Sequence, residues 1–190
     1  LCFDEKSKEL REDTRTPTPP KPGRTLRRDY EYRRNGTANI FLAVEPKGGY
    51  RTTRVTNRRT KGDFAHELRR IVSLHRYKNV KLIHIVCDNL NTHNRTSLEE
   101  TFGEKEADRI MKNVRFHYTP KHASWLNMAE IEIGVLSRQA IKGRIGSKEN
   151  LRGMTRAWQK RRNAKRATID WTFTTKKARK KFKYKSARLF

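Results

Sequence analysis

Residues 82–87 are almost continuously apolar and stop at Asp88-Asn89. A run this short, closed by two turn-forming residues, reads as a strand buried inside a sheet. The flanking segments say what covers it. Asp63 caps a predicted helix in which Phe64, Leu68, Ile71, Val72 and Leu74 recur at helical spacing. Ser97, with Glu100 three residues later, opens a second, charged helix reaching about Lys112. Residues 114–118 form a further strand broken by Thr119-Pro120, and helices are predicted over 124–141 and 148–164. Earlier in the chain, residues 1–4 read as the end of a strand. The β-rich runs 40–44 and 50–55 flank Pro46-Lys47-Gly48-Gly49, a hairpin signal. Strands alternating with helices after an antiparallel start predict an α/β fold, a mixed sheet with helices on its faces.

Charge narrows the class of partner. The chain carries 46 Lys or Arg against 20 Asp or Glu, a formal +26, and its 34% apolar content supports one modest core over 190 residues. Residues 142–190 hold 18 Lys or Arg against Glu149 and Asp170, a net +16. Within them Lys176, Lys177, Arg179, Lys180, Lys181, Lys183 and Lys185 cannot pack against one another, and a phosphate backbone is the commonest polyanion to face such a run. Phe182 and Tyr184 are too few for an apolar insertion face. No stretch approaches the roughly 18 to 20 apolar residues of a membrane span, and the N-terminus has no signal-peptide run, so a soluble, cytoplasmic protein is expected. Cys2 and Cys87 match no metal spacing and predict no disulfide scaffold. Residues 14–39, with Pro17, Pro19, Pro20 and Pro22 among basic side chains, read as an extended, poorly packed insert. A start at Leu1, inside a strand and without Met, predicts a fragment or an unusual start codon.

Three carboxylates stand against this basic background. Ligands of such sheets gather at the carboxyl ends of the parallel strands, where Asp4 and Asp88 each terminate an apolar run. A charge there is costly to bury unless a cation neutralises it. The third is Glu130, on the helix opened by Ser124-Trp125-Leu126-Asn127-Met128-Ala129. At about 100° per residue it shares a face with Asn127, Gly134 and Ser137, at the rim of the apolar arc of Leu126, Ala129, Ile133, Leu136 and Ala140. Glu132 points about 200° away and is assigned to the surface. Trp125, which begins the arc, is read as packing rather than base stacking. Three carboxylates without a Cys or His cluster suit Mg²⁺ or Mn²⁺, and paired ions about 3.5 to 4 Å apart serve phosphodiester chemistry. With the surrounding charge, the expected substrate is a nucleic acid, bound with steep salt dependence.

The segments Phe3-Asp4-Glu5-Lys6-Ser7, Val86-Cys87-Asp88-Asn89-Leu90-Asn91-Thr92-His93 and Thr119-Pro120-Lys121-His122-Ala123-Ser124-Trp125-Leu126-Asn127-Met128-Ala129-Glu130 resemble the three acidic motifs of bacterial insertion-sequence transposases of the insertion-sequence 630 and mariner superfamily. The resemblance covers about residues 1–165, and its third motif is the most specific. It implies a ribonuclease-H-like catalytic domain over 1–165 followed by a basic tail over 166–190. It further implies a D-D-E triad of Asp4, Asp88 and Glu130 that is both catalytic and metal-binding, with two Mg²⁺ or Mn²⁺ ions as cofactor. The implied activity is hydrolytic nicking of transposon ends followed by attack of the freed 3′ hydroxyl on target DNA. The partners are then transposon-end and target DNA, a homodimer or larger assembly is expected because two ends are joined, and the protein would sit on the bacterial nucleoid. The helix-turn-helix region with which such transposases recognise their ends is not among these 190 residues, so a catalytic domain or a decayed fragment is expected. Asn89, His93, Lys121, His122 and Asn127 are candidate DNA contacts or supports of the triad. For His93, a turn-stabilising hydrogen bond is an equal alternative, and for Lys121 and His122 so is plain loop polarity. Lys176, Lys177, Lys180 and Lys181 are candidate phosphate contacts.

Two other functions fit the residues: a non-catalytic basic nucleic-acid-binding protein, and a ribonuclease-H-like nuclease without strand transfer. The carboxylates argue against the first, because a pure binder gains nothing from acids placed at two strand ends and a helix rim facing an anion.

Overall fold

The computed structural model describes residues 1–121 and 123–182. Among them five strands form one mixed sheet: β1 (Cys2–Asp13), β2 (Tyr32–Glu45), β3 (Tyr50–Thr56), β4 (Ile83–Cys87) and β5 (Val114–Tyr118), in the order β3-β2-β1-β4-β5. β1 to β3 form an antiparallel meander, whereas β4 runs parallel to both β1 and β5. Alternation along the strands splits the core in two. Cys2, Ile40, Leu42 and Val44 meet Ala129, Leu136, Leu151 and Trp158 of α4 (Met128–Gln139) and α5 (Lys148–Ala164). Phe3, Phe41, Ala43 and Ile85 meet Phe64, Leu68, Leu98 and Ile110 of α1 (Lys61–Val72), α2 (Arg95–Phe102) and α3 (Glu104–Met111). Each large side chain so buried stabilises the fold by roughly 1.5 to 3 kcal/mol. A mixed five-stranded sheet with helices on both faces is the ribonuclease-H-like α/β arrangement. A further helix, α6 (Thr175–Phe182), follows, and no helix among the described residues is long and apolar enough to cross a membrane. Both cysteines are free and buried.

Several elements differ from expectation. β1 continues to Asp13 and pairs with residues 32–39, so the last part of the expected insert is strand. Those stretches carry no apolar alternation; opposite charges face each other across the ribbon instead, with Glu12 bonding Arg33 and Glu9 pairing with Arg34. Bridges Thr18↔Arg27 and Lys21↔Arg24 carry the hairpin towards its tip. The charged helix predicted over 97–112 is two helices. Gly103 takes φ +83°, a conformation that costs glycine least, and divides α2 from α3. Asn94, not Ser97, caps α2 by accepting from Ser97 N at 3.0 Å, and Thr60 caps α1 with Asp63 as the returning arm of a capping box. Helix α4 begins only at Met128, after a 3₁₀ turn at Ser124–Leu126. The β2–β3 turn requires glycine at Gly49, where φ is +65° and a Cβ would stand 2.4 Å from the Arg166 carbonyl oxygen.

Glu132 is a correction of another kind. It is fully buried, with Oε1 2.8 Å from Arg51 Nε and its two oxygens each 3.1 Å from Arg162. Arg51 is equally buried and also donates to the carbonyls of Gly49 and Ala167. The helix-wheel argument placed Glu132 away from Glu130 correctly, but a second charged layer covers that side of α4. Trp158 lies in the same core, donating to Gln139 Oε1 at 3.0 Å. Removing one member of a buried ion network leaves its partner charged and unpaired. Glu132→Gln is therefore predicted to lower the unfolding free energy by about 3 to 5 kcal/mol in urea titration, whereas Glu130→Gln leaves it unchanged or raises it.

Candidate active site

The register of the central strands brings the first two carboxylates together. Cys2 pairs with Val86 across the parallel β1–β4 ladder, and Val86 N donates to the Leu1 carbonyl at 2.8 Å. Two residues beyond that pair stand Asp4, within β1, and Asp88, just past the end of β4, close enough for the charge of Asp88 to act on Asp4. Asp4 shares the parity of Cys2 and pairs with Leu42, so it faces α4.

Asn127 brings in the third. It is wholly buried and caps α4 by accepting from Ala129 N at 3.1 Å, while its Nδ2 donates 2.9 Å to the carbonyl oxygen of Phe3. One side chain thus fixes the helix start to the strand residue preceding Asp4. Glu130 lies in the first turn of that helix, where a carboxylate also gains from the helix dipole.

The electrostatics of the carboxylates diverge. Asp4 is 8% exposed and accepts one hydrogen bond, from Glu5 N at 2.8 Å. Burial, aided by the charges of Glu5, Asp88 and Glu130, pushes its pKa up to about 7. Asp88 is held below the usual carboxylate range by its hydrogen bond from His93. His93 is 1% exposed and packs, tilted, against Phe64 with ring centres 4.8 Å apart. Its Nδ1 lies 2.6 Å from Asp88 Oδ1 and its Nε2 2.9 Å from Glu5 Oε2. Burial alone would lower its pKa, but its bonds to Asp88, Cys87 and Glu5 push it up to about 12, so it is an imidazolium at neutral pH. Glu5 in turn lies 3.7 Å from Arg59.

The sequence-predicted residues therefore separate. Asp4, expected to end a strand, is instead the third residue of β1; Asp88, just past β4, and Glu130, in the first turn of α4, both act on it by charge. His93 and Asn127, each open to two roles, are both buried and bonded to the segments that carry the carboxylates, which favours support over DNA contact. Asn89 and Lys121 are exposed in the loops after β4 and β5, and His122 lies outside the described residues. Lys176, Lys177, Lys180 and Lys181 are exposed on α6, with Lys181 Nζ 5.1 Å above the Trp125 ring; Lys183 and Lys185 lie outside the described residues. Trp125 packs edge-on to Phe173 at 5.1 Å. Glu5 is the functional-site residue that sequence reasoning missed. It stood beside Asp4 in the same motif, but only the fold of the 88–93 loop shows that it holds His93.

Metal compatibility rests on the donors. Among the described residues no three His, Cys, Asp or Glu side chains are already drawn into a metal-ligand shell. Asp4 nevertheless is a buried carboxylate with one hydrogen bond, no cationic partner among the described residues, and three further carboxylates, Glu5, Asp88 and Glu130, in its field. That donor set is all oxygen and anionic, and it fits a hard divalent cation.

A family model described as DDE superfamily endonuclease matches residues 1–152, which contain all three carboxylates. The chain belongs to this family. No curated protein and no solved structure matches it. As a DDE endonuclease domain it has DNA as its substrate class, and the family generally works with divalent metal.

Because Asn127 both caps α4 and ties it to β1, its loss leaves the Phe3 carbonyl and the Ala129 N–H unpaired. Asn127→Ala is predicted to destabilise the fold by about 2 to 4 kcal/mol in chemical denaturation.

Proposed function

We propose that the chain is the catalytic domain of a transposase related to the insertion-sequence 630 and mariner superfamily, cleaving DNA strands and transferring the freed ends to target DNA. Asp4, Asp88 and Glu130 are its catalytic, metal-holding carboxylates. The observation that carries this reading is Asp4, a buried carboxylate with no cationic partner among the described residues and other carboxylates acting on it, a strain that a ligand of opposite charge would relieve. Divalent ions held by Asp4, Asp88 and Glu130 would supply Lewis-acid activation of the attacking oxygen and stabilisation of the leaving oxygen.

The chain's own residues do the rest. Asp4 and Asp88 are fixed by neighbouring strands, Glu130 is set by the Asn127 cap, and the His93 imidazolium orients Asp88. In the cleavage step, a water oxygen bonds to phosphorus as the bond to the 3′ oxygen breaks, leaving a 3′ hydroxyl. In the joining step, that hydroxyl bonds to a target phosphorus while one target phosphodiester bond breaks, so no external energy source is needed. Two DNA ends require at least a dimer in the active complex. The exposed lysines of α6 hold phosphates without choosing sequence.

Mg²⁺-dependent nicking of supercoiled DNA tests the assignment. Asp88→Asn is predicted to slow it at least about 100-fold, roughly 3 kcal/mol of barrier, and equal rates in the two proteins would remove Asp88 from the mechanism. Nicking without joined products would favour a nuclease that lacks strand transfer. Replacing Lys176, Lys177, Lys180 and Lys181 by Ala should weaken binding to all duplex sequences alike and flatten its salt dependence.

A further inference from the structure

The sheet ends at β3, whose outward N–H and C=O groups would be open to pairing with any other strand. Side chains of α5 occupy them. Asn163 Oδ1 accepts from Arg51 N at 2.9 Å while its Nδ2 donates to the Arg51 carbonyl at 2.8 Å, and Gln159 Oε1 accepts from Thr53 N at 2.7 Å. Two amides one helical turn apart lock α5 along the strand and so fix the direction of its other faces.

On the face towards the sheet edge, Arg152 and Arg156 stand one turn apart, about 6 Å along the axis, and both are exposed. Together with Arg54 and Arg70 they line a cavity of about 630 Å³ that wraps the β3 edge. No acidic side chain lines it, and among the described residues neither Arg152 nor Arg156 has an ion-pair partner, whereas Arg70 and Arg54 share Glu67. The neighbouring cavity of about 790 Å³ on the α1 side is lined by Asp63, Glu67 and Glu106 as well as arginines, so its charge is compensated internally. The uncompensated groove is also placed to continue a path from the carboxylates. Thr53 lies in the same row as Leu42 and Asp4, two strand spacings or about 10 Å from Asp4. β3 runs in the direction of β1, so the groove starts level with Asp4 near Thr52–Thr53 and its Thr56–Asn57 end lies level with Ser7, farther along β1.

We propose that this groove is a second docking site for duplex DNA, in which Arg152 and Arg156 take phosphates of the backbone beyond the stretch held at the carboxylates. The proposal rests on the DNA reading above for its ligand. The backbone phosphates of a duplex are anionic and regularly spaced, which suits cations repeated at one helical turn with hydroxyl and amide groups between them. Recognition here is of backbone, not of base sequence.

Anisotropy titration of a fluorescent duplex by the full chain in EDTA, across a salt series, tests it. Arg152→Ala/Arg156→Ala is expected to bind at least about tenfold more weakly near 0.1 M salt and to flatten the slope of log K against log salt by about 2. Arg152→Lys/Arg156→Lys, which keeps both charges, should retain most of that slope. Lys105→Ala/Lys112→Ala, removing equal charge from α3 and the residue that follows it, should change it less. An unchanged slope in the arginine double variant, or an equal loss in the α3 variant, overturns the proposal. Because EDTA silences cleavage, this result is independent of whether Asp88→Asn abolishes nicking.

Discussion

Asp4 sits nearly buried beside Asp88 and Glu130, with one backbone hydrogen bond and no neutralising cation among the described residues. Two carboxylates about 4 Å apart repel by about 4 kcal/mol at an effective dielectric of 20, so an arrangement of three must be imposed by stronger constraints around it. The parallel pairing of β1 with β4 is one. The Asn127 bridge from the start of α4 to the Phe3 carbonyl is the other. Both are made of backbone and amide groups that cannot change charge, so the spacing of the carboxylates does not depend on what they bind.

Around this centre the protein spends its few acidic residues in two buried networks. Glu5 and Asp88 grip the His93 imidazolium from both ring nitrogens, which leaves His93 a fixed cation and Asp88 firmly ionised. Glu132 grips Arg51 and Arg162 on the far side of α4 and fastens the helix to β3 and α5. The chain's large positive charge thus coexists with a core in which acids are compensated one by one, except at Asp4. That exception is where a ligand of opposite charge lowers the energy most.

Much of this was legible in the sequence because it rests on short-range signals. The apolar run ending at Asp88, the Pro-Gly turn before β3 and the start of α5 at Lys148 each follow from local chemistry, and the motif around Asn127 marked the helix of Glu130. What was not legible depends on contacts distant in sequence. β1 reads as polar beyond Asp4 and becomes a strand only because Glu9 and Glu12 meet arginines of β2 across the hairpin. Glu132 looks like a surface residue until Arg51, 81 positions away in the chain, is brought against it. The supporting role of His93 needed the packing of Phe64 and the carboxylate of Glu5, neither of which its own loop reveals.

The central claim is that Asp4, Asp88 and Glu130 form one divalent-cation site. Anomalous scattering from crystals soaked in Mn²⁺ tests it most directly. A Mn²⁺ peak within ligand distance of Asp4 and Asp88, with Glu130 turned towards it, and absent from the Asp4→Asn variant, is the predicted result. A protein saturated with Mn²⁺ whose bound ions all lie elsewhere, with Glu130 turned away from the strand ends, would contradict it.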